Sequence, residues 1–274
     1  MFEAKTKPVS AKIIAVVNQK GGVGKTTTTI NLATALAAIG QKTLILDIDP
    51  QGNASTGLGV GEAQREKTTY DVLVGELALA EAILTTDIPN LSLAPAHFDL
   101  SGAELELANA PRRSYRMKQA IEGLVESQSH DFDYILIDCP PSLNVLTVNA
   151  LTAAHALLVP LQCEFFALEG LSQLLRTVEL VRTSLNPKLA IQGIVLTMYD
   201  GRNNLARQVT NDVRSHFGDL VYQTVIPRNV RISEAPGFGK PALIYDHTCV
   251  GSKAYMRLAS ELIKRENITI GAAK

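Results

Sequence analysis

Short runs of apolar residues alternate with longer amphipathic stretches along nearly the whole of this chain. The runs are rich in β-branched residues and are bounded by polar ones, which is typical of strands. They cover residues 13–17, 43–49, 91–96, 134–141, 155–160, 191–199 and 220–227. Because strands that are apolar almost throughout suit a sheet covered on both faces, the pattern predicts a mostly parallel β-sheet.

The stretches between these runs have helical periodicity and predict the helices that flank the sheet. They cover residues 27–40, 101–109, 144–153, 168–184, 203–217 and 251–266. The alternation of strand and helix never breaks, so the sequence predicts one doubly wound α/β domain over residues 12–266. Residues 1–11 and 267–274 are predicted to be a flexible N-terminus and a flexible tail.

Composition narrows the range of functions. The chain has 274 residues, 46% of them hydrophobic, which is enough for a full core. The net charge of −1 provides no global basic field, so contact with nucleic acid would depend on local charge. The three widely spaced cysteines argue against a disulfide framework, and the sequence shows neither a signal peptide nor a membrane-spanning run. These features predict a cytoplasmic protein.

The first predicted strand leads into a glycine-rich segment, "NQKGGVGKTTTT", at residues 18–29. A strand, a glycine loop and a helix in this order predict a P-loop, in which backbone N–H groups and the helix dipole bind phosphate. In it, Lys25 is expected to neutralise the β- and γ-phosphates, and the Thr26 hydroxyl to bind Mg²⁺. The predicted nucleotide-binding residues here are Lys20, Gly21, Gly22, Val23, Gly24, Lys25, Thr26 and Thr27.

Three carboxylates follow two further strands. Asp138 ends the strand "YILID" and is expected to hold Mg²⁺ through a water molecule. Asp47 and Asp49 lie in "LDIDPQGN", two residues apart, so they are expected to point the same way from a strand end. Asp49 is the preferred candidate for orienting the attacking water and a further metal ligand, and Asp47 is the second candidate for hydrolysis.

The P-loop departs from the usual pattern at two neighbouring positions. Gln19 stands where the pattern has its first glycine, and Lys20 is a lysine that the pattern does not require. Because Lys25 already serves the phosphates, a lysine at the front edge of the same loop is expected to point away and to need another anion. A solvated, exposed lysine is the simpler interpretation.

The motifs "KGGVGKTT", "DIDPQGN", "DCPPS" and "VIPRNVRISEAPGFGKP" resemble those of the deviant Walker A ATPases, which include the ParA, Soj and MinD proteins and the nitrogenase iron protein. The last motif is typical of the ParA/Soj chromosome-partitioning branch, and the resemblance covers residues 12–262 approximately. It implies an ATP- and Mg²⁺-dependent homodimer with two nucleotides sandwiched face to face. Lys20 would reach the partner's phosphates, and Pro227 and Asn229 would contact adenine.

The window 202–231 contains five arginines: Arg202, Arg207, Arg214, Arg228 and Arg231. Arg207 and Arg214 are seven residues apart on a predicted helix, so they share a face. Such a group is more often a solvated surface, but the resemblance favours DNA, with Arg202 and Arg231 at positions that hold DNA-contacting arginines in the family. Because aromatic stacking residues and a recognition helix are both missing from the pattern, the expected contact is with the duplex backbone.

The resemblance therefore implies a slow ATPase that dimerises with ATP, binds DNA non-specifically, and is stimulated by a ParB/Spo0J-type centromere-binding protein on the nucleoid. Two alternatives stay open. One is a MinD-like or orphan ParA-like ATPase that positions a protein complex, although the C-terminal segment lacks the bulky aromatic face of a membrane helix. The other is an ATP-dependent enzyme acting on a small molecule.

Overall fold

The computed structural model describes the backbone of residues 11–272, and all of their side chains except those of residues 104 and 267–272. Within those bounds the strands are β1 (Lys12–Val16), β2 (Thr43–Asp47), β3 (Leu84–Thr85), β4 (Leu91–Ala94), β5 (Tyr134–Asp138), β6 (Ala156–Gln162), β7 (Ala190–Tyr199) and β8 (Val221–Pro227). They form one sheet in the order β3-β4-β2-β5-β1-β6-β7-β8. All neighbours are parallel except β3 and β4, which are antiparallel.

The helices of the described part are α1 (Lys25–Ala38), α2 (Asn53–Gly57), α3 (Thr69–Val74), α4 (Leu79–Ala82), α5 (Ala103–Glu106), α6 (Arg116–Glu126), α7 (Val145–Ala153), α8 (Ala167–Ser184), α9 (Asn204–Phe217), α10 (Val230–Glu234), α11 (Ala242–Tyr245) and α12 (Val250–Ala272). The predicted helix over 101–109 is broken into α5 and flanking 3₁₀ turns. None of these helices is long and apolar enough to cross a membrane.

The core lies on both faces of the sheet, as the near-continuous apolar strands predict. Consecutive residues of β1 show this, because Ile14 packs with the α1 and α12 side and Ala15 with the α6 to α9 side. The doubly wound, mostly parallel α/β fold predicted from the sequence is therefore confirmed.

The last helix is longer than predicted. Helix α12 continues through Ala272, whereas the sequence predicts a helix to residue 266 and a tail from 267. The β-branched residues of "NITI" have modest helix propensity, which makes them resemble a helix end, but the segment contains no proline to stop the helix. Residues 1–10 and 273–274 lie outside the described part, so the predictions for them stay predictions.

The order of the strands in the sheet determines where a ligand site is expected. β1 lies between β5 and β6, so the chain leaves β1 towards one side first and later returns to the other. Ligands of open α/β sheets bind at the carboxyl ends of the strands where the order switches in this way. At that edge Asp138 is level with both Val16 and Asp47 in the strand register.

Candidate nucleotide-binding site

The predicted P-loop joins β1 to α1 and is held by the two strands on one side of β1. The Asn18 amide donates to the carbonyl of Pro160 in β6 at 2.7 Å. The Thr197 hydroxyl in β7 donates to the carbonyl of Val23 at 2.8 Å, and Val23 itself is buried. Both ends of the loop are thus fixed by hydrogen bonds to neighbouring strands.

The glycines of the loop leave space where phosphate would bind. Gly22 and Gly24 have positive φ angles of 74° and 87°, which favour glycine. A Cβ on Gly21 or Gly22 would meet no heavy atom of the described residues within 4 Å. Gly24 caps α1 without a side chain, so the first N–H groups of α1 have no capping side chain and are suited to an anion.

Lys25 is buried at the start of α1, and its Nζ donates to the carbonyl of Lys20 at 3.3 Å. Burial lowers the pKa of Lys25, while the charges of Asp138 and Asp49 oppose that shift. The ammonium therefore lies among the two carboxylates and the glycine loop, as expected for a phosphate-neutralising lysine.

Asp138 is the last residue of β5 and is fully buried. Its Oδ1 accepts a hydrogen bond from the Thr29 hydroxyl at 2.9 Å, whereas its Oδ2 is buried and has no hydrogen-bond partner among the described residues. Burial and the nearby charge of Asp47 raise the pKa of Asp138. A buried carboxylate oxygen without a partner is costly unless a cation or a bound water satisfies it.

This unpaired oxygen fits the predicted Mg²⁺ site. Thr26 lies in the first turn of α1, and its side chain lowers the pKa of Asp138, against the effect of burial. The predicted hydroxyl ligand and the carboxylate therefore lie together. The described side chains include no cluster of three or more histidine, cysteine, aspartate or glutamate residues that could hold a metal alone. Mg²⁺ usually keeps several waters and binds one or two protein groups together with phosphates, so a small ligand set is appropriate.

The two carboxylates after β2 have different surroundings. The Asp47 carboxylate is fully buried and accepts from the Ser55 N–H at 2.9 Å, the Ser55 hydroxyl at 2.7 Å and the Asp49 N–H at 3.3 Å. Burial raises its pKa, against the effect of these bonds. Asp49 lies beyond the strand, and within the described part of the chain its carboxylate accepts one hydrogen bond, from the Gln51 N–H to Oδ1 at 3.0 Å. Asp47 thus fastens the loop, and Asp49 is the more available carboxylate.

A cavity of about 180 Å³ adjoins the P-loop. It is lined by Pro227 and Asn229, the two predicted adenine contacts, and by Gly24 and Thr27 of the P-loop, with Tyr255 of α12 among the rest. Asn229 Oδ1 is buried and has no hydrogen-bond partner among the described residues. The structure therefore brings the predicted base and phosphate residues together around one space.

Lys20 has an anionic partner within its own chain. Its N–H donates to Asn18 Oδ1 at 3.0 Å, and its Nζ forms an ion pair with Glu164, which follows β6. Both side chains of the pair are partly exposed. The expectation that Lys20 points away from its own phosphates towards another anion agrees with this geometry, but the sequence offered no signal for Glu164.

The five arginines do not form one uniform patch. Arg202 is highly exposed and pairs with Asp200 at 2.8 Å. Its hydrogen bonds, aided by the charge of Arg228, lower the pKa of Asp200 to about 2. Arg202 and Arg228 therefore lie together at the carboxyl ends of β7 and β8.

The other three arginines contact their own fold. Arg214 is half-buried and donates to the carbonyls of Tyr222 and Gln223 at 3.1 and 3.3 Å, so it braces β8. Arg231 pairs with Glu234 at 3.0 Å and with Asp246 at 3.7 Å, and Arg207 bonds to Asn204. Arg207 and Arg214 share α9 as predicted, but only Arg207 is exposed.

Some residues that shape the site have little or no sequence signal. Thr29 follows Lys25 by one helical turn and could have been found from that spacing. Arg65 could not, because its buried guanidinium donates to the carbonyls of Val60 and Ala96 far from any motif. Together with Ser55 it fixes the segment that follows Asp49.

The doubly wound sheet, the glycine loop with two lysines, and the carboxylates of β2 and β5 define a P-loop nucleotide-binding protein of the deviant Walker A type. A family model described as "AAA domain" matches residues 11–191. The chromosome partitioning protein ParA of Caulobacter vibrioides is 63% identical over 93% of this chain and 95% of its own. The sporulation initiation inhibitor protein Soj of Bacillus subtilis is 52% identical over 92% of this chain and 98% of its own.

Among solved structures, one described as cobyrinic acid a,c-diamide synthase from Mycobacterium smegmatis with bound ADP and magnesium has a TM-score of 0.81. It is 37% identical and covers 94% of this chain and 96% of its own. With these matches over nearly its full length, the chain belongs to the ParA/Soj family of chromosome-partitioning ATPases.

Proposed function

We propose that this partitioning ATPase is a dimeric switch that binds ATP and Mg²⁺, associates with DNA non-specifically, and leaves DNA after hydrolysis. The proposal includes stimulation by a ParB-type centromere-binding partner and residence on the nucleoid. The observation that carries it is the arrangement of the two P-loop lysines. Lys25 is buried among Asp138 and Asp49, whereas Lys20 extends out of the loop to Glu164.

Within one protomer, the chain's own residues account for nucleotide binding. The N–H groups of the glycine loop and the Lys25 ammonium would hold the phosphates, and Pro227 and Asn229 would hold the base. Thr26 and Asp138 would hold Mg²⁺, with Asp49 as a further candidate ligand. When bound, the ion would neutralise charge on the β- and γ-phosphate oxygens.

Hydrolysis requires an oriented water and stabilisation of the charge that develops on the transferred phosphate. Asp49 is placed to orient the water, because its carboxylate has only one described hydrogen bond and lies near Lys25. Asp47 acts through the loop that it fastens. Lys20 of a second protomer would add positive charge to that of the P-loop itself. Slow basal turnover follows from that incomplete site.

DNA contact is assigned to Arg202 and Arg228 at the carboxyl ends of β7 and β8, with Arg207, Arg214 and Arg231 as the remaining candidates. Asp200 neutralises part of this charge in a single protomer. A dimer would double the patch, and contact with the phosphate backbone would make affinity fall steeply with salt.

A small-molecule enzyme on the same fold is the alternative suggested by the description of the Mycobacterium smegmatis structure. Such an enzyme would need polar groups beside the γ-phosphate to hold its substrate. The chain instead presents two exposed phenylalanines, Phe165 and Phe166, at the end of the strand next to the P-loop. This apolar surface, with the high identity to the partitioning protein, supports the switch.

The test is a titration of duplex DNA by fluorescence anisotropy with ATP, with ADP and without nucleotide, at two salt concentrations. Tight binding with ATP alone, weakened strongly by salt, is expected. Equal binding in all three nucleotide conditions would contradict the switch. Any product besides ADP and phosphate would favour the small-molecule enzyme.

A further inference from the structure

Two neighbouring phenylalanines are exposed just before α8. The exposed fractions are 74% for Phe165 and 63% for Phe166. Their rings contact edge to face, with centroids 5.0 Å apart and planes at 88°. Exposed aromatic residues that contact each other form an apolar patch, and such patches on soluble proteins mark interaction sites. We therefore expect another molecular surface to bury the two rings.

The position of the pair suggests what covers it. It follows β6, the strand beside β1, so it lies at the same edge of the sheet as the P-loop. Its neighbour Glu164 forms the ion pair with Lys20, which joins the aromatic pair directly to the front of the P-loop. On the other side of β1, the loop after β5 exposes part of Leu143. Apolar residues thus flank the P-loop on both sides.

The charges on this face suit a second copy of the same chain. In a two-fold symmetric contact, the same patch meets itself, so residue i faces residue j and j faces i. Lys20 and Glu164 have opposite charges and are each partly exposed, so this face presents both signs of charge, which suits a surface that meets a copy of itself. Aromatic residues are enriched in protein interfaces, and Phe165 and Phe166 supply such residues to this face.

We propose that Phe165 and Phe166 are the apolar anchor of the contact between two copies of this chain. The proposal rests on the ATP-dependent dimer of the proposed function and adds the residues that hold it together. Lys20 leaves Glu164 of its own protomer when it reaches across to the nucleotide of the other. The aromatic pair supplies the attraction that the exposed lysine alone lacks, because exposed ion pairs contribute little.

The test measures self-association by sedimentation velocity with Mg²⁺ and a slowly hydrolysed ATP analogue. Phe165→Ser and Phe166→Ser should each weaken the dimer about thirtyfold or more, as truncation of a central aromatic anchor does. The matched control is Leu180→Ser, which removes a side chain of similar exposure, 68%, from the far part of α8. It should leave the dimer unchanged.

Nucleotide binding and the self-association of the wild-type chain distinguish loss of the aromatic contact from other effects of the substitutions. Binding of the analogue to dilute, monomeric protein should stay within about twofold of wild type in both serine variants, since neither side chain lines the nucleotide cavity. If the wild-type chain dimerises and both variants do so equally well, the proposed role of the two phenylalanines is wrong, but the dimer switch still stands. If the wild-type chain stays monomeric with the analogue, the dimer switch itself is wrong and the anchor fails with it.

Discussion

At the scale of single residues, the two lysines of the P-loop differ because their surroundings differ. Lys25 is buried beside two carboxylates, whereas Lys20 is exposed and paired with Glu164. The same residue type, five positions apart in one loop, is therefore buried beside carboxylates in one case and faces outward in the other.

Lys25→Ala should lower ATP affinity about a hundredfold, because a charge-assisted contact to phosphate is lost from a buried position. Lys20→Ala should bind ATP within about threefold of wild type but fail to form the ATP-dependent dimer. Isothermal titration measures the first property and sedimentation the second. A Lys20→Ala variant that dimerises normally would remove the trans role of Lys20.

Asp49→Ala should lower ATP hydrolysis about a hundredfold or more and leave a long-lived ATP dimer on DNA, since orientation of the water is lost. The folded protein should keep its stability. Asp47→Ala should instead lower the free energy of unfolding by about 3 kcal/mol, because it leaves Ser55 without its buried partner. Phosphate release and urea unfolding separate the two outcomes, and unchanged turnover in Asp49→Ala would exclude it from catalysis.

The sequence could indicate Lys25, Thr26 and Asp138 because each follows a strand or opens a helix in a recognised spacing. It could not indicate Glu164 or Arg65. Glu164 meets Lys20 across a separation of 144 residues, and nothing local distinguishes it from any other surface glutamate. Contacts of this kind depend on which strands become neighbours in the sheet.

At the scale of elements, the segment after Asp49 packs against the turn that precedes α11. Gly59 and Gly239 both have positive φ, 81° and 63°, and their backbones approach closely. A Cβ on Gly239 would lie 2.8 Å from Gly59 Cα. Helix α2, which follows the loop that carries Asp49, and the turn after it are therefore in direct contact with the "APGFG" part of the family motif.

Gly239→Ala should lower the free energy of unfolding by about 2–4 kcal/mol, since it adds a backbone clash to the strain of a positive φ. Gly40→Ala is the matched control. Gly40 has φ of 87°, but an added Cβ would meet nothing within 4 Å, so only the strain of about 1–2 kcal/mol is expected. Urea unfolding measures both, and equal losses would show that the contact between the two glycines is unimportant.

Seven strands were predictable from their apolar runs, and the structure contains all of them. The two-residue β3 was not, because a pair of residues has no periodicity. Helix α6 was not predicted either, although its buried residues Met117, Ile121 and Leu124 recur at helical spacing. Short elements such as α2 and α10 are fixed by tertiary contacts rather than by their own sequence.

At the scale of the whole molecule, a net charge of −1 coexists with a local basic group at one edge of the sheet. Arg202→Glu should weaken DNA binding by tenfold or more and reduce its salt dependence, because phosphate contacts are lost from a side chain that is 91% exposed and does not line the nucleotide cavity. Dimerisation with ATP should be unchanged.

Lys188→Glu makes the same change of charge at an exposed position before β7, at the opposite edge, and it controls for net charge. Anisotropy with duplex DNA and the ATP analogue measures both variants. If the two lower DNA affinity equally, the effect belongs to net charge, and the assigned patch is wrong.

The family resemblance implied a homodimer, yet the sequence could not identify the surface that joins its halves. A run such as "FFALEG" suits a buried core as well as an interface. Only the fold shows that both phenylalanines of that run lie outside the core while Ala167 and Leu171 lie inside it.

The surroundings of Asn229 bear on which nucleotide the site accepts. Its buried oxygen lacks a donor among the described residues and can accept from the exocyclic amine of adenine, whereas guanine presents an acceptor at the equivalent position. A site whose polar group is left unpaired by the wrong ligand discriminates strongly against it. The chain should therefore respond to the cell's supply of ATP and ignore GTP.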